Sequence, residues 1–201
     1  MRHIFLVLFT LSVISGGFAA PGAFAAESSA RRITLPAPQT TGGMPLMEAL
    51  AARKTERRFS DKPVSEQTLS DLLWATWGVN RPDGKRTAPT AKNRREVNVY
   101  AALESGVWLY DATENALVLA AEGDFRKKLG GSPLTLLFAV PEQDPYGDMH
   151  AGSLYQNAGL YCASAGLGNV VKGTGKDALN DVLPLPAGYK VVIIQSIGWP
   201  R

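Results

Sequence analysis

The sequence predicts an α+β fold, a small, mostly antiparallel sheet with helices packed on it, and three observations predict it. Leu134 to Val140 and Val191 to Ile197 are continuous apolar runs of strand length, the pattern of strands covered on both faces. Val97 to Ala101, Val107 to Tyr110 and Ala116 to Ala120 are shorter strand-like runs, the last two joined by the turn-like Asp111 to Asn115 into a hairpin. Met149 to Ala165 sets Leu154, Ala158, Tyr161, Cys162 and Ala165 at helical spacing and stops at Gly166, a natural helix end.

Taken from the N-terminus, residues 1–25 have the three-part layout of a secretory signal peptide: Arg2 and His3, the apolar run Ile4 to Ile14, then small residues closing on Ala23-Phe24-Ala25. The apolar run of about eleven residues is far short of the roughly twenty that span a bilayer. Cleavage after Ala25 and a secreted or periplasmic destination are therefore expected, with no membrane contact afterwards. Residues 26–44 are rich in Ser, Thr, Pro, Gly and Ala without a period, and read as a leader strand or extended N-terminal arm rather than part of the core. One domain follows over residues 45–201. Pro45 to Arg53 is a short helix with proline at its first position. Ser65 caps a second helix, in which Leu69, Leu72, Leu73, Ala75 and Trp77 form a broad apolar face up to Gly78. Arg81 to Arg94 is a polar loop, Asn169 to Lys172 a short strand, and Lys176 to Leu183 a short helix closed by Pro184 and Pro186.

Composition narrows the chemistry. The net charge of +3 is scattered and makes no concentrated basic face, which argues against nucleic acid as a partner. The single cysteine excludes an intrachain disulfide and any multi-cysteine metal site. His3 and His150 are the only histidines, and no hydrolase or metal motif accompanies His150, so it reads as a helix cap or surface residue. Cys162, Trp74, Trp77 and Trp108 read as core.

Several segments carry polar groups suited to a ligand. Arg53, Lys54 and Arg57 stand at i, i+1 and i+4 after the first helix, so a continued helical turn brings Arg53 and Arg57 to one point beside the Thr55 hydroxyl, a geometry that suits a phosphate. The bland alternative is a solvated basic turn. Pro89-Thr90-Ala91-Lys92-Asn93 lies in a loop before a strand, where Thr90 and Asn93 add a hydroxyl and an amide to free backbone groups. Gln156-Asn157 on the long helix and Gly166-Leu167-Gly168 after it are weak signals one by one.

Their order and spacing resemble the nitroreductase family of FMN-dependent oxidoreductases, including its azoline dehydrogenase-like subgroup. The family's Arg-Arg-Ser-x-Arg box appears as Arg53 to Arg57, followed by Phe59 and Asp61-Lys62-Pro63. Its Leu-Leu-Trp helix appears as Leu72-Leu73-Trp74, its Pro-Ser-Ala-x-Asn loop as Pro89 to Asn93, its Gln-Asn helix as Gln156-Asn157, and its terminal Ile-Gly-Tyr-Pro as Ile197-Gly198-Trp199-Pro200. The resemblance covers residues 45–201 and implies a nitroreductase-like fold.

It also implies an FMN site in which Arg53, Lys54, Thr55 and Arg57 hold the phosphate. Pro89, Thr90, Ala91 and Asn93 line the ring and ribityl chain, Gln156 approaches the ribityl or pyrimidine side, and backbone around Val171, Lys172 and Gly173 faces the ring. Three departures stand out: Lys54 and Thr55 replace Arg and Ser, Arg95 stands where many members have Gln and would put a cation near the flavin pyrimidine, and Arg201 follows Pro200 where many members continue to a basic residue that reaches the phosphate. The implied function is ping-pong hydride transfer through bound flavin, with a small-molecule redox substrate, a homodimer and no catalytic side chain. The alternative is a flavin-binding or flavin-free scaffold. The short stretch from Ala121 to Leu134 leaves the substrate side open or closed by the N-terminal arm.

Overall fold

The computed structural model describes residues 31–201, so the leader expected over residues 1–25 lies outside the described residues. Ten elements follow in order: β1 (Arg32–Thr34), α1 (Leu46–Ala52), α2 (Glu66–Trp77), β2 (Asn98–Leu103), β3 (Gly106–Asp111), β4 (Ala116–Glu122), β5 (Leu134–Pro141), α3 (Gly147–Ser164), β6 (Gly168–Lys172) and β7 (Tyr189–Gly198). The strands form one sheet in the order β1-β4-β3-β2-β5-β7-β6, with every neighbouring pair antiparallel.

The two apolar runs become β5 and β7, which pair with one another from Leu134 opposite Ile197 to Pro141 opposite Tyr189. Strand alternation sends their side chains into two cores. Leu134, Leu136, Phe138 and Val140 pack with Leu72, Leu73 and Trp77 of α2 and Leu154, Ala158 and Cys162 of α3. Leu137 and Ala139 face the other way, against Leu129, Leu179 and Leu183. The α+β expectation is met, and α2 begins as its sequence requires, with the Ser65 side chain accepting from the Thr68 N–H.

Two local expectations are corrected. Lys176 to Leu183 is a run of turns rather than a helix, because Leu179 and Leu183 serve as plugs over the second face of the sheet. The arm is not outside the core: β1 pairs with β4, and Leu35 is buried. Beyond β1 the arm is tied to helices, with the Gln39 N–H donating to Asp71 Oδ1 at 2.8 Å and the Met44 N–H to Ser164 Oγ at 2.8 Å.

Candidate active site

The basic segment leaves α1 without continuing it. Arg53 has a ψ of 121°. Thr55 forms a parallel bridge with Asn169 of β6, and the Glu56 N–H donates to the Asn169 carbonyl at 2.9 Å. The segment therefore runs extended beside β6, and the helical turn expected to join Arg53 to Arg57 is not formed. An extended backbone turns successive side chains to opposite sides. Lys54 and Glu56 line a cleft against Gly166 to Asn169 and Pro200, whereas Arg57 lines a separate groove of about 390 Å³ with Gly130, Val171, Lys172, Thr174 and Ser196. Glu56 is held in place by its own backbone: its carboxylate accepts from the N–H groups of Arg58 and Arg57, and these bonds hold its carboxyl below the usual range.

The groove is cationic at its rim and has an unpaired polar group behind it. Arg57 is exposed, and the Lys172 ammonium donates to the Leu129 carbonyl at 2.9 Å while partial burial lowers its pKa from the ordinary lysine value. Ser196 Oγ is buried without a hydrogen-bond partner. The neighbouring Gln195 is fully buried; its Nε2 donates to Asn169 Oδ1 at 2.9 Å and to the Tyr155 carbonyl at 3.2 Å, leaving Oε1 unpaired. Gly159 of α3 keeps this corner tight. A Cβ there would stand 3.5 Å from Asn169 Oδ1 and 3.6 Å from Arg53 Cδ.

Pro89, Thr90, Ala91 and Asn93 lie elsewhere, in a loop that ends in a single helical turn over Ala91–Asn93. Lys92, Asn93 and Arg95 all adopt positive φ, at 54°, 54° and 56°. Thr90 closes the loop internally, its carbonyl accepting from the Asn93 N–H at 3.0 Å and its hydroxyl from the Arg95 N–H at 3.1 Å. The Ala91 N–H donates to Nε2 of His150 at 2.8 Å, and Nδ1 of His150 lies 3.2 Å from Asp144 Oδ2. His150 is thus buried, with Nε2 accepting from the loop and Nδ1 beside the Asp144 carboxylate, in place of the cap or surface residue expected from sequence.

Two further residues and the arm lie away from the Arg57 groove. The Arg95 guanidinium donates to the Gly84 carbonyl at 3.0 Å, so within the chain it ties two loops together. Gln156 is exposed on α3 and lines neither groove. The arm contacts α2 and α3 and shares no lining residue with the Arg57 groove. His150, at the loop, and Gly159, at Arg53, are nine residues apart on α3, or roughly 14 Å along the helix axis at 1.5 Å per residue. A single chain therefore holds the two predicted halves of the site apart.

Cys162, fully buried, has its thiol pushed up by burial, and Trp77 and Trp108 are buried, all in keeping with packing roles. The residues that sequence reasoning missed are Asn169, Gln195, Ser196 and Asp144. Gln195-Ser196 did leave a trace: a polar pair inside an apolar run covered on both faces has to be bonded or functional.

A profile of the nitroreductase family matches residues 50–199. The chain belongs to that family. The nitroreductase name is also carried by a Methanocaldococcus jannaschii protein that is 25% identical over 158 residues, spanning 66% of this chain and 80% of that one. A crystal structure from Ralstonia eutropha JMP134, described as a nitroreductase, is 37% identical, covers 87% of this chain and 91% of its own, and superposes with a TM-score of 0.76. The Bacteroides fragilis nitroreductase solved with bound FMN is 13% identical, covers 78% of this chain and 88% of its own, and has a TM-score of 0.56, a likeness of fold alone. Nitroreductase family membership places the chain among the oxidoreductases.

Proposed function

We propose that the chain is an exported FMN-dependent oxidoreductase that works by ping-pong hydride transfer on a small-molecule redox substrate. The observation that carries this reading is the groove beside β6, where Arg57, the backbone of Val171 and Lys172, and the unpaired Ser196 hydroxyl converge. Those groups fit FMN, since a phosphate suits the basic segment and a planar ring rich in heteroatoms suits backbone groups and a buried hydroxyl. Arg53, Thr55 and Arg57 would hold the phosphate, with Lys54 reaching it from the adjoining cleft. Val171, Lys172 and Gly173 would face the ring.

Bound FMN supplies two-electron chemistry, taking a hydride from one substrate and passing it to another. The residues of the chain bind and orient the ring and shape the space above it; none is asked to act as base or nucleophile. The FMN in the Bacteroides fragilis nitroreductase supports the choice of cofactor.

The placing of the two halves at positions nine residues apart on α3, roughly 14 Å along its axis, favours a homodimer in which the Pro89 to Asn93 loop of one copy completes the groove of the other. An uncovered apolar face supports it: Leu46, Met47 and Leu50 on α1 and Met149 on α3 are between 43% and 75% exposed. Export rests on the leader, and N-terminal sequencing of protein from its host is expected to begin at Ala26. For the cofactor, the test is an absorbance spectrum of the purified protein and a titration with FMN. A yellow protein that binds one FMN per chain supports the reading; a colourless one that takes up no FMN overturns it in favour of the scaffold.

A further inference from the structure

The loop from Pro89 to Arg95 is costly to hold in shape. Three consecutive or near-consecutive non-glycine residues at positive φ each disfavour it. Its internal bonds through Thr90 fix its curvature but do not attach it to the body of the protein. The Arg95 guanidinium holds its far end to the Gly84 carbonyl, and its centre is attached by the Ala91 N–H, which donates to Nε2 of His150 at 2.8 Å.

For Nε2 to accept, His150 must be neutral with its proton on Nδ1, and the Asp144 carboxylate 3.2 Å from Nδ1 fixes that tautomer. Asp144 is itself positioned by the Tyr146 N–H at 3.0 Å and faces Arg94 at 3.7 Å. The other charged or titratable groups around the pair are Glu96, paired with Arg94 at 2.8 Å, and the Tyr146 ring, 6.3 Å from the imidazole. A second proton on His150 can go only to Nε2. It turns the acceptor into a donor that confronts the Ala91 N–H, while Asp144 stays paired with the resulting cation. Among the described residues nothing else accepts from the Ala91 N–H.

We propose that His150 is the positioning residue of the 89–95 loop, and that its protonation releases the loop and, resting on the function proposed above, weakens FMN binding. As His150 takes up a second proton, loop order and FMN affinity fall together. The mechanism is a competition: FMN binds the ordered loop, which needs neutral His150, and a proton favours the detached one.

The experiment uses tagless protein. His150 is then one of at most two histidines, and its ring nitrogens can be followed by ¹⁵N NMR through a pH titration. Exchange of the Ala91 amide, corrected for intrinsic pH dependence, is followed in parallel without cofactor. The expected result is an acceptor-type Nε2 and a protected Ala91 amide at pH 8, with protection lost as His150 titrates. FMN affinity is expected to fall about tenfold between pH 8 and pH 5.5, equivalent to about 1.4 kcal/mol.

His150→Gln, whose amide oxygen can accept from Ala91 at every pH, is expected to bind as wild type does at pH 8 and to lose the pH step. His150→Phe is expected to bind weakly at both values. An Ala91 amide that stays equally protected while His150 titrates overturns the latch, as does an unchanged pH step in His150→Gln. Wild-type protein that binds no FMN at any pH overturns the functional reading instead, and the Ala91 amide still decides the latch.

Discussion

Thr55 and Asn169 lie side by side as a parallel bridge, and this single pairing sets the direction of the whole basic segment. The helical path ends after Ala52, Thr55 and Glu56 lie against Asn169 of β6, and Phe59 goes on to bridge Pro200, so that Arg57 reaches the groove and Lys54 does not.

Arg57→Ala is expected to weaken FMN binding by about 1.5–3 kcal/mol, the scale of a hydrogen bond to a charged group. Because Arg57 is exposed, the fold without cofactor should be unaffected. Titration followed by flavin fluorescence, with circular dichroism of the apo protein, measures both. An unchanged dissociation constant would identify the segment as a solvated basic edge.

Gly168→Ala tests the pairing itself. A Cβ at this position would stand 2.7 Å from Glu56 Cγ and 2.8 Å from Glu56 Cβ, closer than real contacts allow. The segment must shift away from β6, and a loss of about 1–3 kcal/mol in stability is expected together with weaker FMN binding. Chemical denaturation reads the first effect, and a wild-type midpoint would show that Glu56 yields freely.

Arg95→Gln is expected to leave the FMN midpoint potential nearly where it is. A guanidinium acting on reduced flavin would move a two-electron potential by about 30 mV for every 1.4 kcal/mol of interaction, but this one is engaged by the Gly84 carbonyl. Spectroelectrochemical titration of the two proteins decides it. A drop of tens of millivolts in the variant would mean that the side chain leaves Gly84 when flavin binds.

Alkaline pH should weaken the fold through its tyrosines. Burial, reinforced by the Asp71 carboxylate, pushes the Tyr161 phenol up to about 12, against about 10 in an unfolded chain. The neutral phenol is favoured in the folded state, so its contribution is complete below pH 10 and is lost as pH rises through 12. Urea midpoints should decline across that window, and more shallowly in Tyr161→Phe. Equal slopes would assign the decline to Tyr100, Tyr110 and Tyr189, which burial also raises.

The parts of the fold legible in the sequence were those governed by local pattern. Ser65 and Gly78 bounded α2, and the apolar run from Leu134 marked a strand buried on both faces. What stayed hidden depends on partners remote in sequence. Arg53 and Arg57 fit a helical spacing as well as an extended one, and only Asn169, more than a hundred residues away, decides between them. Lys176 to Leu183 has leucines at helical spacing, yet the second face of the sheet needs just two of them. His150 looked idle because Asp144 and Ala91, the groups that occupy its nitrogens, belong to different loops.

β7 is the last strand in chain order, yet it stands between β5 and β6 and supplies the whole ladder of β6. The β5-β7-β6 end of the sheet thus cannot close while the ribosome is still short of Tyr189–Gly198. Pairings this distant in sequence also form slowly once all the strands are present. The nascent polypeptide therefore spends its synthesis, and some time after it, as an open chain. The export proposed above would require a chain that is still open in this way.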